Sequence, residues 1–442
     1  MIKTLRNALK VKDIRTRLIY TLICLIIVRL GTLLPAPAIS RDVTDQFFNA
    51  ETLGIFNILT GGSFSRMSIF ALSISPYISA SIIVQLLTIA IPKLEEMQKE
   101  GEDGRRRINE ITRYVTVVLA VIESGAMAIG FGSQGALEGG LTFTNVIVII
   151  ASFTAGSTFL MWLGERITDK GVGNGISIIL LINIVSTMPG DFINLFNNFI
   201  LNKPVGKAIV AALVIIVVIL VTVVLVVLLQ EAVRKIPVQY AKKIQGRRMV
   251  GGQTSHIPLK VNTAGVIPVI FANSLMSFPI VIASFFGVYP ERAYFWPKVL
   301  KVLDSRSWLV FKGMDWGEIK YSIGLLIYIA LLVFFAYFYT SVTFNPIEVA
   351  NNIKKQGGFI PGIRPGKPTT EYLSKVLNYI VLVGAIGLII ISIIPMFFAG
   401  AFGASVSFGG TSIIIIVGVI IETMNQIESK MLVRHYKGFL ND

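Results

Sequence analysis

Ten apolar runs, at about residues 18–35, 63–91, 114–131, 143–163, 176–189, 208–229, 264–287, 321–343, 376–398 and 410–427, decide which solvent this chain can fold in. About 20 such residues cross the roughly 30 Å hydrocarbon core of a bilayer, where each segment must satisfy its own backbone N–H and C=O groups. The expectation is an all-α polytopic membrane protein of ten transmembrane helices. An even number places both termini on one side. Five spans followed by five turn the second half over relative to the first, which predicts two inverted halves, 1–190 and 191–442.

Loop charge orients the bundle. Of the 40 lysines and arginines, 29 lie on the side of the termini; with the acids subtracted, that side carries +15 and the other +1. The excess marks the cytoplasmic side, so the basic balance reports topology before it reports a nucleic-acid partner. Lys3 to Arg17 followed by an apolar run and Ala36-Pro37-Ala38 imitate a cleavable signal peptide. Arg29 within that run, the proline between the alanines and the nine further runs favour a retained anchor instead. A single cysteine, Cys24, rules out a disulfide framework, and two histidines outside the runs leave little for metal chemistry.

The second run is unlike the others. GGSFSRMSIFALSISPYISASIIVQLLTIAIP opens on two glycines, carries Arg66 and holds Ser75-Pro76 in its middle. A mid-helix proline removes a donor and clashes with the preceding turn, whereas Ser before Pro is a good helix start. The expectation is a short helix at 63–72 hinged to a longer one at 76–91. Broken backbone at membrane depth is tolerated only where protein buries it or it lines a cavity.

Two inner loops are too patterned to be plain connectors. Residues 230–262 alternate around Gly246 and Gly251-Gly252, predicting a protruding hairpin tipped by Arg247 and Arg248. Residues 344–372 are basic and turn-rich around Gly362-Ile363-Arg364-Pro365-Gly366. Together they suit a docking surface for a large polyanionic or acidic partner.

Ionisable groups within the spans are few. Arg29 lies near an outer end, where snorkelling suffices, and Glu123 and Glu422 lie deeper as packed groups. No HExxH or GxSxG is present, which argues against an intramembrane protease. Gly171-Val172-Gly173-Asn174-Gly175 follows no strand and reads as a helix-start turn rather than a phosphate loop. What the spans offer is spaced aliphatics: Ile74 with Ile78, and Ile176 with Leu180, each four apart on one helix face. Converging in a bundle, such groups make a collar that dewets against ions yet moves aside for a larger object. The alternative is a small-solute secondary transporter with inverted repeats, which calls for a polar midplane.

Longer strings carry a resemblance. GGSFSRMSIFALSISPYISASIIVQLL, EGEDGRRRINEITRY, FLMWLGERITDKGVGNGISI, YAKKIQGRRMVGGQTSHIPLKVNTAGVIPVIFA, FNPIEVANNIKKQGGFIPGIRPGKPT and FGGTSIIIIV resemble the bacterial SecY family of protein-conducting channel subunits. The resemblance implies an hourglass channel with a lateral gate in the bacterial cytoplasmic membrane. It passes unfolded polypeptides bearing a signal sequence outward, or transmembrane segments sideways into membrane lipid. It implies a plug at about 61–72, including Gly61, Gly62, Phe64, Arg66 and Phe70, and a pore ring of Ile74, Ile78, Ile176, Leu180, Ile270 and Ile415. A lateral gate between the second and third spans and the seventh and eighth would hold Gln85 and Asn273. Arg247, Arg248 and Arg364 would meet the ribosome, with a contact to ribosomal RNA, and the SecA ATPase motor. SecE and SecG are the implied small membrane partners. The family has no catalytic site and no cofactor.

Overall fold

The computed structural model describes residue 6 and residues 9–40, 60–133, 135–201, 203–240, 243–245, 248–250, 254–285, 295–304, 308, 322–402 and 410–438. Each of the ten apolar runs contains a helix. They are α1 (Lys12–Gly31), α2 (Ser75–Ala90), α4 (Glu102–Ser133), α5 (Phe143–Lys170) and α6 (Gly175–Phe199) in the first half. In the second half come α7 (Val205–Glu231), α8 (Ile267–Phe285), α10 (Ile323–Thr343), α12 (Lys367–Phe402) and α13 (Gly410–Gly438). Among the described residues, seven segments are long and apolar enough to cross a membrane, and α2 with the short α3 (Pro92–Lys99) makes an eighth. The other two are α1, with three arginines, and α8, whose apolar stretch is shorter. Residue 190 lies inside α6, which runs on to Phe199 before α7 starts at Val205.

Several helices outrun their apolar stretches. α4 begins at Glu102, α5 continues to Lys170 and α12 begins at Lys367. Hydropathy marks where lipid is, and a helix leaving lipid persists while its charged face is solvated. At Ile91 the chain turns extended (φ −111°, ψ 110°), Pro92 opens α3, and the two axes diverge by 105°. Proline at the first helical position restarts a helix without an orphaned donor. The Gly171–Gly175 string is the helix-start turn expected of it. Gly173 takes φ +80°, and Asn174 caps α6 by accepting from the N–H groups of Ile176 (3.1 Å) and Ser177 (3.3 Å).

Residues 60–74 differ from expectation: they form successive turns, not a short helix at 63–72. The cause is local. Gly61 and Gly62 sit at positive φ, and the Ser63 hydroxyl bonds the carbonyls of Thr60 (2.7 Å) and Phe70 (2.8 Å). Such side-chain bonds offer the backbone an alternative to the helix ladder. Met67 and Ser73 also take positive φ, 46° and 51°. The cap of α2 falls on Ile74, so Ser75 is the first helical residue and Pro76 the second.

Between lipid-exposed helices there is no hydrophobic drive, so close approach depends on small residues. A Cβ on Gly175 would lie 1.9 Å from the Gly164 carbonyl oxygen, and so α5 and α6 cross there with backbones touching.

The loops 230–262 and 344–372 make one body. β1 (Val233–Tyr240) pairs antiparallel with β4 (Thr254–Lys260), from Val233 opposite Lys260 to Gln239 opposite Thr254. Beyond them, β2 (Lys243–Gln245) and β3 (Arg248–Val250) continue the hairpin. β5 (Gly358–Phe359), from the other loop, pairs with the end of β1 and completes the order β4-β1-β5. Beneath the sheet, Ile236, Val238 and Leu259 pack with Ile353 of α11 (Pro346–Lys355), Ile360, and Leu373 and Val376 of α12. The sequence pattern gave two separate loops; their union was not visible in it.

Candidate channel waist and plug

Ile74 and Ile78 open α2, Leu180 lies one turn into α6, Ile270 near the start of α8 and Ile415 near the start of α13. All five are buried, and all belong to one apolar cluster running through the bundle. Ile176 is half-buried against that cluster, its Cδ1 lying over Gly164 at the α5–α6 crossing. Thus four helices from both halves of the chain contribute aliphatic groups to this cluster, which the turn segment 60–74 joins through Phe70 and Ile74.

That segment is wedged between two apolar clusters. Phe70 and Ile74 belong to the first. Phe64, Met67, Ala71 and Leu72 belong to a second, with Met127 and Phe131 of α4 and Ile149 and Phe153 of α5. The Phe64 ring meets Phe131 edge-on at 6.2 Å, and Phe70 stacks on Phe159 at 6.0 Å. Two bare glycines let the wedge in. A Cβ on Gly156 would lie 2.1 Å from the Ile69 carbonyl oxygen, and one on Gly31 would lie 2.0 Å from the Phe70 ring. Arg66 is exposed.

Polar ties hold both ends. The Arg29 guanidinium donates to the Gly61 carbonyl at 3.3 Å, and the Ser186 hydroxyl reaches the same oxygen at 3.5 Å. At the far end Asn183 Nδ2 donates to Ser73 Oγ at 3.1 Å. Two backbone bonds, Ile69 N–H to Leu34 O (3.0 Å) and Ala36 N–H to Met67 O (2.9 Å), stitch it to the chain after α1. Arg29 therefore does not snorkel to the surface, as its position suggested. It is half-buried and bonded to this segment, a better use of a charge that is costly in lipid. Asn183 and Ser186 were missed; the available signal was an amide and a hydroxyl within an apolar run. Of the two deep acids, Glu123 is buried as expected, whereas Glu422 is exposed.

On the side where a gate was expected, α8 packs against both α2 and α4. Gln85 and Asn273 sit on its two sides but turn to different neighbours. The Gln85 amide donates to Ser81 Oγ at 3.1 Å and leaves its own carbonyl oxygen buried without a hydrogen bond. Asn273 is half-buried beside the Tyr328 hydroxyl of α10.

Arg364 stands exposed on a turn framed by Gly362 (φ +81°) and Gly366 (φ +103°), its carbonyl accepting from Thr369 Oγ1 at 2.8 Å. Arg248 opens β3 opposite Gln245, and Arg247 lies outside the described residues. No cluster of histidine, cysteine and acidic groups suited to a metal occurs among the described residues.

Comparisons with known proteins agree on one family. The SecY family model matches residues 68–424. The protein translocase subunit SecY of Halalkalibacterium halodurans is 42% identical and that of Bacillus subtilis 41%, each alignment covering all of both chains. A solved structure described as that of a protein conducting channel superposes with a TM-score of 0.65 at 20% identity, covering 95% of this chain and 93% of the other. At that identity the structural likeness establishes the fold.

Proposed function

This chain belongs to the SecY family of multi-pass membrane proteins, and from that premise we propose that it is the protein-conducting channel of a bacterial cytoplasmic membrane. An unfolded polypeptide bearing a signal sequence passes through the aliphatic waist, or leaves sideways into lipid between α8 and the pair α2 and α4. Both termini and the strand-bearing loops face the cytoplasm, in accord with the loop charge. The two halves, 1–190 and 191–442, close around the pore as inverted repeats. Nothing here performs a chemical step: the family is one of translocase subunits, and no enzymatic role is assigned to the chain.

One observation carries this reading. Aliphatic side chains from α2, α6, α8 and α13 are buried together, and a non-helical wedge is packed beside them. A solute transporter would instead need polar, ion-coordinating groups at that depth. In a resting channel the six aliphatics exclude ions, and residues 60–74, including Gly61, Gly62, Phe64, Arg66 and Phe70, act as the plug. Gln85 and Asn273 lie on opposite walls of the gate. The direct experiment stalls a secretory chain during export and crosslinks it to photoreactive groups at Ile78, Leu180, Ile270 and Ile415. Crosslinks to all four are expected. Crosslinks confined to lipid-exposed controls on α7 would remove the pore from this region.

Energy must come from outside the chain. The cytoplasmic body, with Arg364 on its rigid turn and Arg247 and Arg248 at the hairpin, is the docking surface for the ribosome, including its RNA, and for a SecA-type motor; SecE and SecG complete the assembly. Arg364→Glu is expected to weaken motor or ribosome binding about tenfold, the loss of one or two charge-assisted contacts. The stability of the purified channel should not change, because the side chain is exposed. Sedimentation with ribosomes or motor checks this, and unaltered binding would strike Arg364 from the surface.

A further inference from the structure

On the membrane face opposite the strand-bearing body, a nine-residue helix, α9 (Phe295–Leu303), connects the far end of α8 to the start of α10. It has three sectors. Pro297 and Leu300 are buried against the protein. Phe295 (74% exposed), Trp296 (69%) and Val299 face outward as an uncovered apolar edge, the two rings packed edge-on at 6.0 Å. Lys298 lies on the remaining side and is exposed. On its own, such an edge would say nothing about what covers it.

The attachment of α9 does say. Trp308 is buried; its Nε1 donates to the Val302 carbonyl at 2.7 Å and its ring lies 5.8 Å from Tyr328 of α10. Gly324, in the first turn of α10, has no side chain, and a Cβ there would lie 1.7 Å from the Val302 oxygen. The C-terminal end of α9 is thereby fixed to the first turn of a membrane-spanning helix. In that same turn Ile323 (56%) and Leu326 (65%) present the lipid-facing surface of α10. The aromatic edge is thus held at the height where the lipid-facing surface begins, and is continuous with it. Tryptophan and its neighbours favour the headgroup–acyl boundary, where an amphipathic ring meets both phases. A lysine beside them extends its stem over apolar surface and its ammonium to phosphate. A helix about 13 Å long, at 1.5 Å per residue, has room to lie in the interface plane.

We propose that α9 is a lipid-interface anchor, with Phe295, Trp296 and Val299 seated in the headgroup–acyl boundary of that leaflet and Lys298 reaching its phosphates. It holds the C-terminal end of α9 and the first turn of α10 at a fixed depth.

The test places the full chain in lipid nanodiscs. With Cys24→Ala removing the native thiol, Val299→Cys carries a nitroxide, and Leu326→Cys and Arg364→Cys serve as lipid and water references. Relative access to oxygen and to an aqueous nickel chelate should place Val299 between the references, nearer Leu326. Access to nickel equal to that at Arg364 overturns the proposal, as does protection from both reagents, which would mean a second copy or another protein covers the edge. A second readout keeps the native thiol: lipids brominated near the carbonyl end of the acyl chain should quench less of the total tryptophan emission after Trp296→Phe. Equal fractional quenching with and without Trp296 also overturns it.

Discussion

Glycine at Ile74 and Ile270 together is expected to turn the resting channel into an ion leak. Both side chains are buried in the apolar cluster shared by α2, α6, α8 and α13. A narrow aliphatic constriction holds back ions because water does not wet it and an ion cannot shed its shell there. Burying one isoleucine side chain is worth about 1.5–3 kcal/mol of apolar contact. Losing even one such increment from the barrier raises ion flux about 10- to 150-fold. Resting conductance of purified protein in planar bilayers measures it, with Ile→Leu at the same positions expected to stay tight. Equal conductance before and after the glycine pair would show that these residues do not form the barrier.

Gly156→Val is expected to open the resting channel by a different route, from a site outside the ring. Its Cβ would lie 2.1 Å from the Ile69 carbonyl oxygen, a backbone atom that cannot swing aside as a side chain would. Residues 60–74 must then leave their place between the two apolar clusters. Overpacking a filled site costs about 1–3 kcal/mol, which raises the displaced fraction about 5- to 150-fold. The expected result is frequent openings in bilayers and faster labelling of a cysteine at Phe64, buried while the wedge is in place, with insertion into the membrane unchanged. Gly31→Val should act in the same direction but more weakly, because that Cβ would meet the Phe70 ring at 2.0 Å and a ring can turn aside. A valine at Gly384, whose Cβ would lie 2.4 Å from the Val261 carbonyl oxygen, acts away from the wedge and should lower stability without selective leak. If Gly156→Val loses stability and leaks no more than wild type, the wedge is not what closes the pore.

The helices were legible because lipid imposes one rule on every span, and a run such as 208–229 admits no other reading. Of the proposed waist, spacing marked only Ile74 with Ile78 and Ile176 with Leu180; Ile270 and Ile415 came from the resemblance, and the structure buries them in the same large apolar cluster as Ile74, Ile78 and Leu180. The segment before Ser75 was read as broken but given the wrong local form. Composition over 63–72 is apolar enough for a helix, and what prevents it is the Ser63 hydroxyl reaching Thr60 and Phe70. Long-range ties were hidden for a similar reason. Arg29 to Gly61 and Asn183 to Ser73 join residues far apart in the chain, and no local pattern encodes such a partner. The pairing of Gln239 with Phe359 was hidden likewise, since a two-residue strand leaves no alternation to detect.

That small strand alters the mechanics of the whole second half. Because β5 ties one strand-bearing loop to the other, force applied at the Arg364 turn reaches β1 and β4, and through them the roots of α7 and α8 as well as α12. Among the described residues the first half contributes no strand to this handle and stays behind as an anvil. A tug on the handle therefore becomes torque on α8, the helix that leans on α2 and α4. If the reading proposed above holds, gripping this body and working α8 loose from α2 and α4 are a single stroke.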